Sequence, residues 1–300
     1  KNLGSHHPAP NSALPAGMIE ATFVHPVLIS FGGFNLYSYG LCVALALATC
    51  TIVCTREFSR LKIDAEASTL MLSFIPGFWF GSKLQMVLSA YLSGEPMPHL
   101  GIDTGHSFMG SAVGGVLSAA LYGAFCNLTF LRLLDLITPL VPLGHAIGKW
   151  GCFLAGDGCY GPAAPDWLPW AMSFPNGGVP IKAAVHPTPL YESGLSFALF
   201  AYFHFGLSIP APGDKRELPV GRRAAFTLAL YGIERMVIEP WRRHPASEYL
   251  WGLTEYQFLA VIFVLLGCVI SLAGARSEPW PRIAAGKGDG KKEKKKAKAA

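Results

Sequence analysis

Apolar positions in this chain gather into seven long runs, at roughly 33–54, 69–91, 107–128, 131–155, 189–208, 223–241 and 255–274. A helix needs about 20 mostly apolar residues to cross the hydrocarbon core of a bilayer. The last run, "YQFLAVIFVLLGCVISLAGA", has no charge at all, whereas the fourth and sixth are the least apolar and hold charged residues. One such run could be a buried helix of a soluble protein, but seven in succession read as membrane spans. The pattern therefore predicts an all-α, polytopic membrane protein of about seven transmembrane helices. Three regions follow from it: a polar, turn-rich segment at 1–24 expected to be disordered, a membrane domain at 25–276, and a basic tail at 277–300 ending "KGDGKKEKKKAKAA". The N-terminal stretch lacks the ordered basic, apolar and small-residue regions of a cleaved signal peptide.

Composition agrees with this reading. Hydrophobic residues make up 51% of the chain and charged residues 14%, against about a quarter charged in ordinary soluble domains. The placement of the charge gives an orientation. Arg56, Arg60 and Lys62 follow the first run, and Lys215, Arg216, Arg222 and Arg223 precede the sixth. With the basic tail, these fall on one side of a seven-span chain, and basic loops favour the cytoplasm. The N-terminus is then extracytoplasmic and the C-terminus cytoplasmic. The tail helps to fix that topology, with attraction to anionic lipid or RNA as its other use, and for the chain's function no nucleic-acid partner is expected. Arg242 and Arg243 lie on the opposite side, against the rule.

Depth follows from orientation. Tyr39 lies near the outer end of the first span, Lys83 in the outer part of the second, and His106 at the outer entry of the third. Lys149 occupies the outer part of the fourth span, with Asp157 just beyond it. His186, Tyr191 and Glu192 enter the fifth from outside, and Tyr231, Arg235 and Glu239 occupy the outer half of the sixth. A charge at the bilayer centre costs at least ~2.5–3.5 kcal/mol. Helix-end snorkelling would scatter such groups over both ends, yet this set is one-sided. A shared polar cavity facing the outer leaflet is the expected arrangement. Tyr231, Arg235 and Glu239 are spaced four apart, on one helical face that Arg242 continues. At headgroup depth an arginine can grip a phosphate with two parallel hydrogen bonds. A structural Arg–Glu pair with no ligand is the other reading of that face.

The remaining motifs are weaker. "GSAVG" at 110–114 and "GHAIG" at 144–148 have the spacing of close helix packing. Trp167, Trp170 and Phe174 in the loop 157–188 suit a membrane interface, as anchors or as a cover for the cavity. The seven cysteines form no strong metal pattern, so no metal is expected. Cys152 and Cys159 could form a disulfide in an oxidising compartment.

The stretches "LYSYG" (36–40), "HSFMGSAVGG" (106–115), "PLGHAIGKWGCF" (142–153), "HPTPLYE" (186–192) and "LYGIERMVIEPWR" (230–242) resemble, in order, the bacterial prolipoprotein diacylglyceryl transferases. The resemblance covers roughly 25–275. It implies transfer of the diacylglyceryl group of phosphatidylglycerol to the lipobox cysteine of a prolipoprotein, forming a thioether and releasing glycerol phosphate. It implies the bacterial inner membrane as location, phosphatidylglycerol, the prolipoprotein signal peptide and membrane lipids as partners, and no cofactor. By position, Arg235 matches the family's sixth-helix arginine and would hold the phosphate, with Lys149, Lys83 and Arg242 as further cations. Tyr39, Tyr231, His106 and His186 fall to the catalytic group. Glu239, Glu192, Tyr191 and Asp157 support them.

Departures from the family pattern bear on activity. Lys149 and Cys152 stand where the family has arginine and asparagine in "GRxGNF". Lysine keeps the charge but loses the planar fork. Lys83 replaces an arginine, and Met109 replaces the "SFHGG" histidine, leaving His106 or His186 for the base. "GDGCYG" has one residue more than the family, which blurs the register of Asp157. Two alternatives remain beside the transferase: a non-catalytic phospholipid-binding protein of the same fold, and a small-molecule transporter. Against the transporter, no internal repeat is seen and the charges lie off the midplane.

Overall fold

The structure is a computed structural model and describes residues 19–93, 96, 108–242, 249–250, 253–276 and 279–280. Helix covers most of each of the seven apolar runs. The helices are α1 (Ser38–Arg60), α2 (Ala67–Ser93), α3 (Phe108–Phe125), α4 (Phe130–Ile137), α5 (Leu140–Ala155), α6 (Thr188–Ala201), α7 (Arg222–Ile238) and α8 (Glu255–Gly274). Among the described residues three stretches are long and apolar enough to cross a membrane: Ser38–Arg60, Phe130–Ala155 and Tyr256–Gly274. The fourth run is broken into α4 and α5 at Thr138 and Pro139, where proline has no N–H to continue the ladder. The chain divides into two compact units.

The first unit comprises residues up to 50, 139–204 and 227–267. The expectation of an all-helical chain needs correction here, because short strands frame the helices. Strands β2 (Val27–Phe31) and β3 (Phe34–Tyr37) form a hairpin. Its turn is Gly32–Gly33, both at positive φ (54° and 85°), a backbone that glycine adopts without steric cost. The first apolar run thus opens as a strand, and helix begins only at Ser38. Strand β1 (Ile19–Glu20) pairs in parallel with β4 (Met172–Phe174), which pairs antiparallel with β5 (Ile181–Val185). Ala21, Val24, Phe153, Tyr160, Phe174 and Val185 make a buried core beneath this sheet. Tyr160 stacks on Phe174 with centroids 4.2 Å apart. Residues 19–24, expected to be disordered, thus contribute to a core, and the long loop 157–188 is largely a small folded layer.

Strands β6 (Tyr249–Leu250) and β7 (Leu253–Thr254) lead into α8. Thr254 and Gln257 form a reciprocal cap: the Thr254 N–H donates to Gln257 Oε1 (3.0 Å) and the Gln257 N–H to Thr254 Oγ1 (3.2 Å).

The second unit comprises 51–138, 205–226 and the chain from 268. In it α2 and α3 pack through glycines. A Cβ at Gly114 would overlap the Gly77 carbonyl oxygen, and one at Gly81 the Gly110 carbonyl. The 110–114 spacing is therefore a close-packing seam. The 144–148 spacing in α5 is not: a Cβ at Gly148 would meet nothing within 4 Å, and one at Gly144 only Cys50 Sγ at 3.7 Å. Asp135 of α4 is fully buried and acts as a cap for α7. Its Oδ2 accepts from Gly221 N (2.7 Å) and Trp280 Nε1 (2.9 Å), and its Oδ1 from Ala224 N (2.8 Å). A carboxylate suits the positive end of a helix dipole. Buried Arg223 donates to Glu57 Oε1 (3.3 Å) and the Asp135 carbonyl (3.2 Å). Trp280 is fully buried and bridges Leu218, so the fold reaches beyond the expected boundary at 277.

Candidate active site: a buried carboxylate ringed by cations

The first unit places the charges of α5, α6 and α7 around one point, Glu192. Pro189 sits in the first turn of α6, where its missing N–H costs no hydrogen bond. The Thr188 hydroxyl donates to the Trp241 carbonyl (2.5 Å), tying the start of α6 to the end of α7. One turn into α6, the Glu192 carboxylate is fully buried. Its Oε2 lies 2.5 Å from Arg235 Nη1, 2.9 Å from Lys149 Nζ and 3.4 Å from His145 Nε2. Its Oε1 lies 3.7 Å from Arg242 Nε. An isolated carboxylate at this burial would be very costly, and paired cations with hydrogen bonds are what make it tolerable.

Arg242 reaches the cluster by a different backbone from the one its spacing suggests. Pro240 disfavours α-helical geometry before it, and the chain leaves α7 through a 3₁₀ turn, Glu239–Trp241, with Arg242 extended. Arg242 Nη1 is buried, makes no hydrogen bond among the described residues and lies 3.7 Å from Glu239 Oε2. Glu239 Oε1 accepts from the Thr254 hydroxyl, which links the cluster to the start of α8. Tyr256 carries both guanidinium groups over its ring, Arg242 at 4.2 Å and Arg235 at 5.4 Å from the centroid. Such stacking orients a guanidinium while leaving its N–H edge for other partners.

His145 belongs to this site, though its sequence neighbours gave it no role. It lies one turn before Lys149 on α5. Its Nδ1 is 3.0 Å from Ser196 Oγ, and its ring meets Tyr231 edge-on at 5.6 Å. Glu234 is a second residue that the sequence does not single out. It is 5% exposed, its oxygens form no well-made hydrogen bond, and Ser196 stands beside it. Next to an arginine in "IERM", it reads from sequence as a surface partner.

The other expected residues separate into groups. His186 and Tyr191 form an adjacent cluster: the Trp170 indole donates to Tyr191 Oη (2.7 Å), which lies 3.2 Å from His186 Nδ1. Burial holds the His186 imidazole below its ordinary pKa. Tyr39 is half exposed and stands in electrostatic range of Cys152, Asp157 and Cys159. Cys152 and Cys159 are free thiols, and no disulfide joins them. The Cys152 thiol, hydrogen-bonded to Cys159, lowers the Cys159 pKa. Lys83 is buried on α2 in the second unit. His106 lies outside the described residues, as does the side chain of Met109.

A multi-helix chain with stretches apolar enough to span a membrane, and with three cationic side chains around one buried carboxylate, has the make-up of a membrane protein. Residues 26–273 match the prolipoprotein diacylglyceryl transferase family, and the chain belongs to it. The phosphatidylglycerol–prolipoprotein diacylglyceryl transferase of Clostridium tetani is 29% identical over 249 residues, 82% of this chain and 96% of its own. The proteins of that name from Symbiobacterium thermophilum and Pseudomonas putida F1 are each 30% identical, over 83% of this chain and 92% and 94% of theirs.

Proposed function

We propose that this chain transfers the diacylglyceryl group of phosphatidylglycerol to the lipobox cysteine thiol of a prolipoprotein. The observation that carries the reading is the meeting of Lys149, Arg235 and Arg242 around Glu192, with Arg242 Nη1 lacking a hydrogen bond among the described residues. A phosphate oxygen is the acceptor such a donor lacks. In the reaction the thiol sulfur attacks the glyceryl carbon, the carbon–oxygen bond to phosphate breaks, and its electron pair leaves on glycerol phosphate. Negative charge grows on that phosphate, and fixed cations aimed at growing charge lower the barrier. Arg235 and Arg242 offer planar forks, and Lys149 a point charge. Glu192 holds the three in place before the lipid arrives.

The thiol must lose its proton to become a competent nucleophile. His145 sits inside the cluster, beside Glu192 and Ser196, and is our assignment for that base, ahead of His186, which lies in the adjacent group with Tyr191 and Trp170. In this reading the chain crosses the inner membrane seven times, with the cluster opening to the outer leaflet, the N-terminus outside and the tail in the cytoplasm. Purified protein in nanodiscs, given phosphatidylglycerol and a lipobox peptide, should add one diacylglyceryl mass to the cysteine peptide and none to its serine counterpart. A peptide that stays unmodified under these conditions refutes the reading. Modification of the serine peptide refutes the thiol chemistry.

A further inference from the structure

The turn that ends α5 collects three metal-ligating side chains. Cys152, Asp157 and Cys159 bring their sulfur and carboxylate atoms within 4.8 Å of one another. Tetrahedral zinc, with bonds of about 2.3 Å to sulfur and about 2.0–2.2 Å to oxygen, sets ligand atoms somewhat closer than this. Binding would draw the three ligand atoms together.

The turn is held ready for that. Gly156 caps α5 at φ 58°, its N–H donating to the Cys152 carbonyl (2.9 Å), and a Cβ there would run into Gly177. The Val179 N–H donates to the Gly156 carbonyl (2.8 Å) and the Gly178 N–H to the Ala155 carbonyl (2.9 Å). The Cys159 N–H donates to Asp157 Oδ1 (3.1 Å), which fixes the carboxylate beside the second sulfur. Cys152 is buried, Cys159 half-buried and Asp157 exposed, so the trio is firm on one side and open on the other.

The geometry points to a binding site for one thiophilic divalent cation of the zinc class, held by Cys152, Asp157 and Cys159, with a fourth position left for an incoming thiol. Three protein ligands and an open position are the pattern of reactive rather than structural zinc. Two thiolates and a carboxylate around a dication leave one negative charge. Lys149, one turn earlier on α5 and paired with Glu192, is in electrostatic range of both sulfurs. Tyr39 faces the same three groups. A carboxylate beside two thiols favours this reading over a disulfide, which has no use for Asp157.

The part played by the fourth position rests on the transferase reading. A thiol bound to such a cation is deprotonated as it coordinates. Its proton passes to the base, the sulfur–carbon bond forms, and the carbon–oxygen bond to phosphate breaks as above. Nothing is oxidised or reduced.

The test uses the full chain in detergent, reduced and stripped of metal, and titrated with Co²⁺. The expected result is one cobalt per chain with thiolate-to-cobalt absorption. Cys152→Ser or Cys159→Ser should remove the absorption. Asp157→Asn should weaken binding at least as much as loss of an outer-shell partner does, about 10–100-fold, and Cys268→Ser should leave it unchanged. A lipobox cysteine peptide should then shift the spectrum, and its serine counterpart should not. Absence of the thiolate band with both thiols reduced overturns the site. So does a Cys152–Cys159 disulfide whose reduction fails to restore cobalt binding. A site that binds cobalt but ignores the cysteine peptide overturns the thiol-binding half. A chain that binds cobalt as expected, yet makes no diacylglyceryl peptide when loaded with zinc, counts against the transferase reading and leaves the metal site standing.

Discussion

In the proposed mechanism the chemistry turns on Arg235, whose guanidinium lies over Tyr256 and makes the shortest contact to Glu192. Arg235→Ala should lower the rate of peptide lipidation by at least about 10²–10³-fold, the cost of losing one preorganised donor at a developing negative charge. Because truncation strands a buried carboxylate, Arg235→Lys is the companion variant. It keeps the charge and loses the fork, and should remain folded with reduced activity. Lys149→Arg should retain or raise activity, whereas Lys149→Met should lose it, and equal rates in both would make Lys149 a bystander. His145→Gln should slow the reaction by about 10²–10⁴-fold, the usual worth of a positioned base. An unchanged rate would return the role to His186 or to no histidine. At this scale the sequence singled out Lys149, Glu192, Arg235, Glu239 and Arg242, which the structure brings together, and also Lys83, which lies in the second unit. Four-residue spacing placed Tyr231, Arg235 and Glu239 on one face, and one-sided depth singled out Lys149 and Glu192. It did not reveal His145, Tyr256 or Thr254. Each serves the site through a partner on another helix, and no spacing within one helix encodes that.

At the scale of the element, two features carry stability. Asp135 supplies the cap of α7 from a different helix, and its loss would leave the Gly221 and Ala224 N–H groups and the Trp280 indole without their acceptor. Each stranded group costs about 1–3 kcal/mol. Asp135→Ala should therefore lower the thermal midpoint of the purified protein markedly, and Asp135→Asn by less. An unchanged midpoint would contradict the capping role. The α2–α3 seam tolerates no side chain at Gly114, and Gly114→Val should reduce the yield of folded protein, whereas Gly148→Ala, which meets open space, should not. Helix positions were legible because runs of about 20 apolar residues rarely arise outside membrane helices. The strands were not. β1 and β4 have three residues or fewer each and lie far apart in the chain, so neither shows a period. The hairpin did carry its signal, the paired glycines at 32–33, hidden within an apolar run.

For the whole molecule, the proposal joins a membrane-embedded chain to a reaction between a lipid and a secreted polypeptide. In the proposed topology the basic loops and tail face the cytoplasm. The ionised cluster then faces the side on which a translocated prolipoprotein would emerge. That topology rests on the distribution of charge along the chain. Cysteine accessibility to a membrane-impermeant reagent in intact cells tests it, with residues placed in the 157–188 layer labelled and residues placed in the tail protected. The central claim is that Arg235 and its neighbours hold the leaving phosphate. The most direct measurement is the mass of a lipobox peptide incubated with phosphatidylglycerol and either the wild-type chain or folded Arg235→Lys and Arg235→Ala variants. The expected outcome is a gain of one diacylglyceryl group with the wild type, a slower gain with lysine and none with alanine. A full rate in the alanine variant would contradict the claim.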